Sequence, residues 1–139
     1  MLQGIDVSNW QRRVDWRAHA ERGVAFAFAK ATEGDSFVDP WFARNWEGMR
    51  ENWIVRGAYH FAHPANDPIA EAEHFLTMVN AHPAKPGDLL VLDLETTDGY
   101  SVDHVNAWAK KWLAHVKAKT GATPLFYSGW NFANTYGRG

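Results

Sequence analysis

The sequence predicts an α/β fold built on a parallel sheet, and three observations lead to that prediction. Short apolar runs alternate with longer amphipathic segments, which is the order that parallel strands and crossover helices require. Residues 89–94 are dense in branched apolar side chains, as in strands buried on both faces. Acidic residues recur where predicted strands end. An open five-stranded doubly wound sheet and the first part of a (β/α)₈ barrel both fit, and both place their chemistry at those strand ends.

The first predicted strand covers residues 3–8 and carries an acid among apolar neighbours. Side chains alternate along a strand, so Gly4, Asp6 and Ser8 share one face, opposite the apolar side chains between them. The loop that follows contains Trp10. Asp6 therefore lies near a strand end, close to the edge where parallel sheets place functional groups.

The later strands show the same division into two faces. Residues 24–31 place four alanines on one face and larger side chains, including Lys30, on the other. Residues 54–62 place His60 on the face opposite its two aromatic neighbours. The two remaining strands are predicted over residues 89–95 and 123–128.

Four helices are predicted between the strands from capping residues and apolar stripes. Aspartate followed by proline, at residues 39–40 and 67–68, is typical of a helix start. Asp15 and Ser101 are further N-caps, and Gly121 ends the last helix. Apolar residues repeat at three- and four-residue intervals in the longer helices. The helices are predicted over residues 16–22, 42–53 and 69–79, and between Ser101 and Gly121.

Composition indicates a single globular domain over residues 1–139, with 46% hydrophobic and 22% charged residues. A net charge of -2 gives no electrostatic basis for binding nucleic acid or an anionic membrane. No apolar run approaches the ~20 residues of a membrane span, and no cysteine is present for disulfides or thiol chemistry. The eight tryptophans either pack in the core or offer flat faces to sugar rings.

Two carboxylates close the predicted strand at residues 89–95. Asp93 and Glu95 share a face with Val91, and their backbones start about 6.6 Å apart. Two carboxyls at that separation beside an apolar sheet cannot both ionise freely, so one of them is expected to hold its proton near neutral pH. A glycosidase requires such a split between a proton donor and a negative group. The alternative is a strand that ends in solvated acids.

Other kinds of site have less support from the residues. The first strand is not followed by the glycine-rich turn that cradles nucleotide phosphate. His60 and His63 lie at a strand end without an evident third zinc ligand, so hydrogen-bonded or solvated histidines are favoured. A magnesium site formed by Asp6, Asp93 and Glu95, in an open-sheet hydrolase or phosphotransferase, is an open alternative, although basic groups to hold phosphate are sparse. We expect no metal and no cofactor.

Four short motifs resemble a known family. Gly-Ile-Asp-Val-Ser at residues 4–8 is similar to the opening of glycoside hydrolase family 25 lysozymes. The motifs at residues 30–34, 57–61 and 92–95 are similar to later strand ends of that family and occur in the same order. The resemblance covers essentially the whole chain and implies a TIM-like (β/α) barrel. It also implies a muramidase, which cuts the β-1,4 bond between N-acetylmuramic acid and N-acetylglucosamine in peptidoglycan.

The resemblance also implies roles for single residues. Glu95 matches the general acid/base, and Asp93 matches the acid that stabilises the oxocarbenium ion or orients the acetamido group. Asp6 matches a supporting acid. The expected partner is the peptidoglycan glycan strand, acted on outside the cell or in its wall, with no nucleic acid and no membrane. The predicted substrate-binding residues are Trp10, Glu33, Tyr59, Phe61, Tyr127 and Trp130.

The chain departs from the family in length. Eight-stranded barrels generally run to about 250 residues, whereas about five strands are predicted here, so the expected barrel is incomplete. We expect either a fragment of a longer product or a minimal form whose open sheet edges pair with another copy. No secretory signal precedes the first strand, so a signal was removed or export does not use one. The functional alternative is a peptidoglycan-binding module with the same groove and no turnover.

Overall fold

The computed structural model describes residues 2–128 as a mixed α/β fold with a mostly parallel sheet. Helices pack on one face of the sheet, and the other face lines a cleft. None of the helices within the described range is long and apolar enough to cross a membrane. The strands are β1 (Gln3–Val7), β2 (Val24–Glu33), β3 (Phe37–Val38), β4 (Val55–Phe61), β5 (Leu89–Asp93) and β6 (Leu125–Tyr127). The helices are α1 (Trp16–Glu21), α2 (Phe42–Glu51), α3 (Pro68–Ala81) and α4 (Val102–Thr120).

The sheet follows the order β1-β2-β4-β5-β6, and each neighbouring pair is parallel. The predicted succession of parallel strands is therefore confirmed. The short β3, which the sequence does not predict, pairs antiparallel with the end of β2. Within residues 2–128, β1 and β6 form the two edges, so the sheet does not close into a barrel. The predicted strand ends are wrong by one or two residues. β1 stops at Val7, β5 at Asp93 and β6 at Tyr127, β4 covers Val55–Phe61, and β2 continues to Glu33.

The alanines of β2 explain how the helices approach the sheet. Ala29 and Ala31 are fully buried, and their small side chains leave room for the larger residues of the helices. Phe42 of α2, Phe75 of α3 and Trp112 of α4 are likewise fully buried in the same core. The helix tryptophans thus pack against the sheet, as one of the two sequence interpretations expects.

Three of the predicted helix caps are confirmed. The side chains of Asp15, Asp67 and Ser101 each accept a backbone N–H from the first turn of their helix. The predicted start at Asp39 is wrong in detail, because Trp41 is the N-cap of α2. The predicted stripe to Trp53 is also wrong, since α2 ends at Glu51 and Trp53 is 94% exposed.

A fully buried glutamate joins α3 to the end of β4. Glu71 accepts hydrogen bonds from His60 Nε2 (2.8 Å) and from the His63 backbone N–H (3.1 Å). Asn66 Nδ2 donates to its other oxygen at 3.0 Å. Burial lowers the pKa of His60 more than Glu71 raises it, which favours a neutral ring. A neutral His60 donates to Glu71 through Nε2 and accepts the Thr32 hydroxyl at Nδ1, 2.7 Å away.

We predict that Glu71→Gln lowers the free energy of unfolding by about 1–3 kcal/mol. The NH₂ group of the glutamine would face N–H donors that now bind Glu71, so buried donors would lose their acceptor. Urea denaturation measures the effect. Glu51→Gln, an exposed site at the end of α2, serves as the control and is expected to change stability by less than about 0.5 kcal/mol. Equal stabilities for the two variants would contradict the prediction.

Candidate active site

A cleft of about 610 Å³ lies on the sheet face that the helices leave uncovered. All three predicted catalytic acids line it, namely Asp6, Asp93 and Glu95. Four of the predicted substrate-binding residues also line it, namely Trp10, Tyr59, Phe61 and Tyr127. Glu33 does not belong to the lining, and Trp130 lies outside the described residues.

The parallel register explains why these side chains meet. Phe61 of β4 pairs with Asp93 of β5, which pairs with Tyr127 of β6, so the three lie side by side across the sheet. On the other side of β4, Asp6 of β1 pairs with Phe28 of β2. Residues in equivalent register face the same side of a sheet. The cleft therefore collects residues from five strands and the loops at their ends.

Asp93 is the most buried of the three acids. It is only 8% exposed, and its Oδ1 atom has no hydrogen-bond partner among the described residues. Burial, followed by the nearby negative charges of Glu95 and Asp6, raises the pKa of Asp93 to about 7. Asp93 is therefore the carboxyl that retains a proton near neutral pH.

Glu95 lies beyond the strand, in a more open position. It was predicted to be the last residue of the strand, but β5 ends two residues earlier and Glu95 is exposed. The backbone N–H of Leu94 donates to the Tyr127 carbonyl at 2.9 Å, which keeps the chain beside β6. Leu94 is fully buried and Glu95 lines the cleft, so the alternation of side chains continues past the strand.

The loop after β1 supplies an exposed aromatic wall. Trp10 is 82% exposed and lines the cleft beside Asp6. Buried Asp39 fixes this loop, because its Oδ2 accepts the Asn9 backbone N–H at 2.6 Å. Its other oxygen accepts the Trp41 N–H at 2.8 Å, so one carboxylate ties the loop to the start of α2.

Tyr59 contributes a neutral hydroxyl to the cleft. Burial and then the charge of Asp6 and Asp93 raise the pKa of Tyr59 well above its ordinary value. The phenol consequently keeps its proton across the physiological range and can donate a hydrogen bond to a sugar or a carboxylate.

Lys30 lines the cleft but is absent from the site predicted by sequence. Its side chain donates to Glu33, and the other Glu33 oxygen lies 2.8 Å from His63 Nε2. Both oxygens of Glu33 bind other side chains, and its place in the substrate-binding wall stays a prediction. A lysine on the same strand face as Phe28 was the available sequence signal for Lys30.

The two histidines considered for zinc point to different surroundings. His60 bonds with Glu71 in the core, whereas His63 bonds with Glu33 and Asp98 near the cleft edge. No group of three or more metal-binding side chains occurs within residues 2–128. The described residues that line the cleft supply carboxyls, one ammonium, hydroxyls and aromatic rings.

Comparisons with known proteins agree on one family. Residues 5–139 match the family model described as Glycosyl hydrolases family 25. The uncharacterized protein YegX of Escherichia coli (strain K12) is 41% identical in an alignment 140 positions long, which covers 96% of this chain and 50% of the relative. The N,O-diacetylmuramidase of Arthroderma benhamiae is 36% identical in an alignment 137 positions long, which covers 91% of this chain and 57% of the relative.

The solved structures give the same result. A family 25 glycosyl hydrolase from Bacillus anthracis is similar with a TM-score of 0.90 and 27% identity, over 98% of this chain and 64% of that one. The chain spans about half the length of the curated relatives that it matches.

We predict that Asp93→Asn stabilises the fold at high pH and not at low pH. The carboxyl has a pKa of about 7 when folded and about 3.9 when unfolded, so folding disfavours its ionised form. Below about pH 4 it is protonated in both states, and stability falls as the pH rises from about 4 to about 7. Asparagine removes this loss, so the variant gains on the order of 2–4 kcal/mol at about pH 8.

Chemical denaturation at about pH 8 and about pH 3.5 measures that difference. Asp35→Asn, at an exposed loop position, is the matched control and is expected to change stability little at either pH. A gain of the same size at both pH values would contradict the assignment of the raised pKa to Asp93.

Proposed function

The chain belongs to glycosyl hydrolases family 25, and we propose that it is a muramidase domain that cuts the β-1,4 bond between N-acetylmuramic acid and N-acetylglucosamine in peptidoglycan. The family predicted from the four motifs is thereby confirmed. The observation that carries the proposed activity is the meeting of Asp6, Asp93 and Glu95 in one cleft. The relative named N,O-diacetylmuramidase supports the proposal.

Glu95 is proposed as the general acid/base. It lies on an exposed loop beyond β5, where its carboxyl can reach the oxygen of a glycosidic bond that crosses the cleft. In the proposed reaction Glu95 protonates the leaving oxygen as the bond to the anomeric carbon breaks, and later accepts a proton from the attacking water.

Asp93 and Asp6 are proposed to stabilise the positive charge that develops on the sugar. Asp93 lies on the floor of the cleft, two residues before Glu95, and in its ionised form acts on the positive anomeric centre directly or by orienting the acetamido group. Asp6 raises the pKa of Asp93 from the opposite side of the cleft. The role of charge stabiliser needs Asp93 in its ionised form, and with a pKa of about 7 Asp93 is about half ionised at pH 7 and more fully ionised above it.

The aromatic lining is proposed to hold the sugar rings. Trp10 and Tyr127 are 82% and 54% exposed and offer faces at the cleft entrance. Tyr59 and Phe61 are half-buried and form the floor beside Asp93. Trp130 remains a sequence-based proposal for the same role. The domain would act on glycan strands outside the cell or in the cell wall.

The sheet is proposed to be the first part of a TIM-like barrel. Apart from β3, its strands have the parallel order that such a barrel requires, and within residues 2–128 its open edges are β1 and β6. Leu125 and Phe126 on the edge strand β6 are 45% and 39% exposed. Unpaired backbone groups beside exposed apolar side chains favour pairing with another copy of the chain.

We predict that Glu95→Gln lowers turnover by about 10²–10⁴-fold, because an amide cannot donate the catalytic proton. Release of reducing ends from purified cell walls measures turnover, and circular dichroism checks the fold. Glu21→Gln, at an exposed position in α1, is the control and is expected to retain full activity. Normal turnover in Glu95→Gln would disprove its role. Wall binding without any release by the unmodified chain would favour a binding module instead.

We predict that the 139-residue chain self-associates as its concentration rises. Sedimentation velocity measures the fraction of dimer and larger species. Leu125→Lys is expected to reduce association, because a charged residue on an edge strand opposes pairing. Ile69→Lys on α3 is the control, being similarly exposed at 37% and away from the sheet edges. A monomer at every concentration would contradict the proposal.

A further inference from the structure

A buried ammonium lies among the acids of the cleft. Lys30 is 7% exposed, and it is the only lysine, arginine or histidine in the cleft lining formed by residues 2–128. A lysine has a flexible four-carbon stem, so an ammonium that affects nearby carboxyls must be held in place. Glu33 on β2 binds the Lys30 ammonium directly, and Asp39, before α2, acts on Tyr59 of the same cleft. The other titratable side chains of the cleft lining are Asp6 on β1, Tyr59 on β4, Asp93 at the end of β5, Glu95 just beyond it and Tyr127 on β6.

Three groups hold the Lys30 ammonium. It donates a hydrogen bond to Glu33 Oε1, with which it forms an ion pair. It also lies 5.2 Å from the ring centre of Phe37 on β3 and 5.2 Å from that of Phe61 on β4. Cation–π contacts at this distance are attractive, more so where water is excluded. The ammonium is thus held between Glu33 on β2, Phe37 on β3 and Phe61 on β4.

Glu33 is held in turn by His63. The second oxygen of Glu33 lies 2.8 Å from His63 Nε2, and His63 Nδ1 lies 3.3 Å from Asp98 Oδ1. Asp98 also accepts the Ala65 backbone N–H at 3.1 Å. The His63 backbone N–H donates to buried Glu71, so both the ring and the backbone of His63 are anchored.

The pKa shifts of Glu33, His63 and Asp98 favour the charged form of each group. Positive and negative charges therefore alternate from Lys30 to Asp98. Burial alone would raise the pKa of Glu33, but hydrogen bonds from Lys30 and His63 outweigh it and lower that pKa. Burial alone would lower the pKa of His63, but its bonds with Glu33 and Asp98 outweigh it and raise that pKa. The pKa of Asp98 is lowered, mainly by the Ala65 N–H and by His63 against the effect of burial.

We propose that Glu33 and His63 are positioning residues that hold the Lys30 ammonium at a fixed place in the cleft that Asp93 and Glu95 also line, and thereby set the charge balance of the cleft. The reaction that this balance serves is the one proposed above. Lys30 favours the ionised form of Asp93, against burial and the charges of Glu95 and Asp6. The negative charge of Glu33 offsets part of the effect of Lys30 on the Asp93 pKa. Glu33 also keeps the ammonium from moving toward Asp93 and Glu95.

Two substitutions are expected to move the Asp93 pKa in opposite directions. Glu33→Gln removes a negative charge and frees Lys30 to approach the acids, so it lowers the pKa of Asp93 by about 1 unit or more. Lys30→Met removes the cation and raises the pKa by a similar amount, about 1 unit. A purely structural role for either residue would not produce opposite shifts.

A carbon-13 NMR titration of the Asp93 side-chain carboxyl measures these shifts without any need for activity. The pH dependence of reducing-end release from cell walls is recorded in parallel, and its limbs are expected to move in the same directions. Glu51→Gln and Lys110→Met, both exposed and distant from the cleft lining, are charge-matched controls and are expected to leave the Asp93 titration unchanged.

Shifts in the same direction, or no shift in either variant, would overturn the proposal. If Lys30→Met does not fold, Glu33→Gln decides alone, and an unchanged or raised pKa of Asp93 overturns it. Opposite shifts in a chain that releases no reducing ends would support the positioning role while rejecting the proposed muramidase activity.

Discussion

The strict alternation of side chains along parallel strands is the constraint on which this structure depends. On β2, Ala29 and Ala31 face the helices and are fully buried, while Phe28 and Lys30 face the cleft. A slip of one residue in the register would exchange the two sets and place an ammonium against the helices. The core and the candidate site are therefore specified together, because the same pairing that buries the alanines brings the acids onto one face.

Local patterns made much of the fold and part of the site predictable. The helix starts at Asp15, Asp67 and Ser101 follow from short-range hydrogen bonding, and strand alternation correctly predicted that Asp93 and Glu95 face the same way. Features that depend on the meeting of distant loops were not predictable. The two-residue β3 is one example. The partners of Glu33 are another, because His63 lies thirty positions away.

The tryptophans show the same limit. The predicted helices include Trp46, Trp108 and Trp112, and all three tryptophans are buried in the core. Periodicity also assigned Trp53 to a helix, yet the Asn52 side chain donates to the Gly48 carbonyl and the helix has already ended. A stripe of apolar residues cannot show where a helix stops when no glycine or proline marks the position.

Asp93 and Glu95 have different surroundings because β5 ends between them. Ladder hydrogen bonds hold Asp93 within the sheet, where burial raises its pKa, and the chain leaves the strand immediately afterwards. The Leu94 N–H still bonds with β6, so Glu95 keeps the same facing but gains exposure to water. Sequence could show that the two carboxyls share a face. It could not show which carboxyl has the raised pKa. That depends on where the strand ends, which sets the burial, and on the charges that Asp6 and Lys30 bring from other strands.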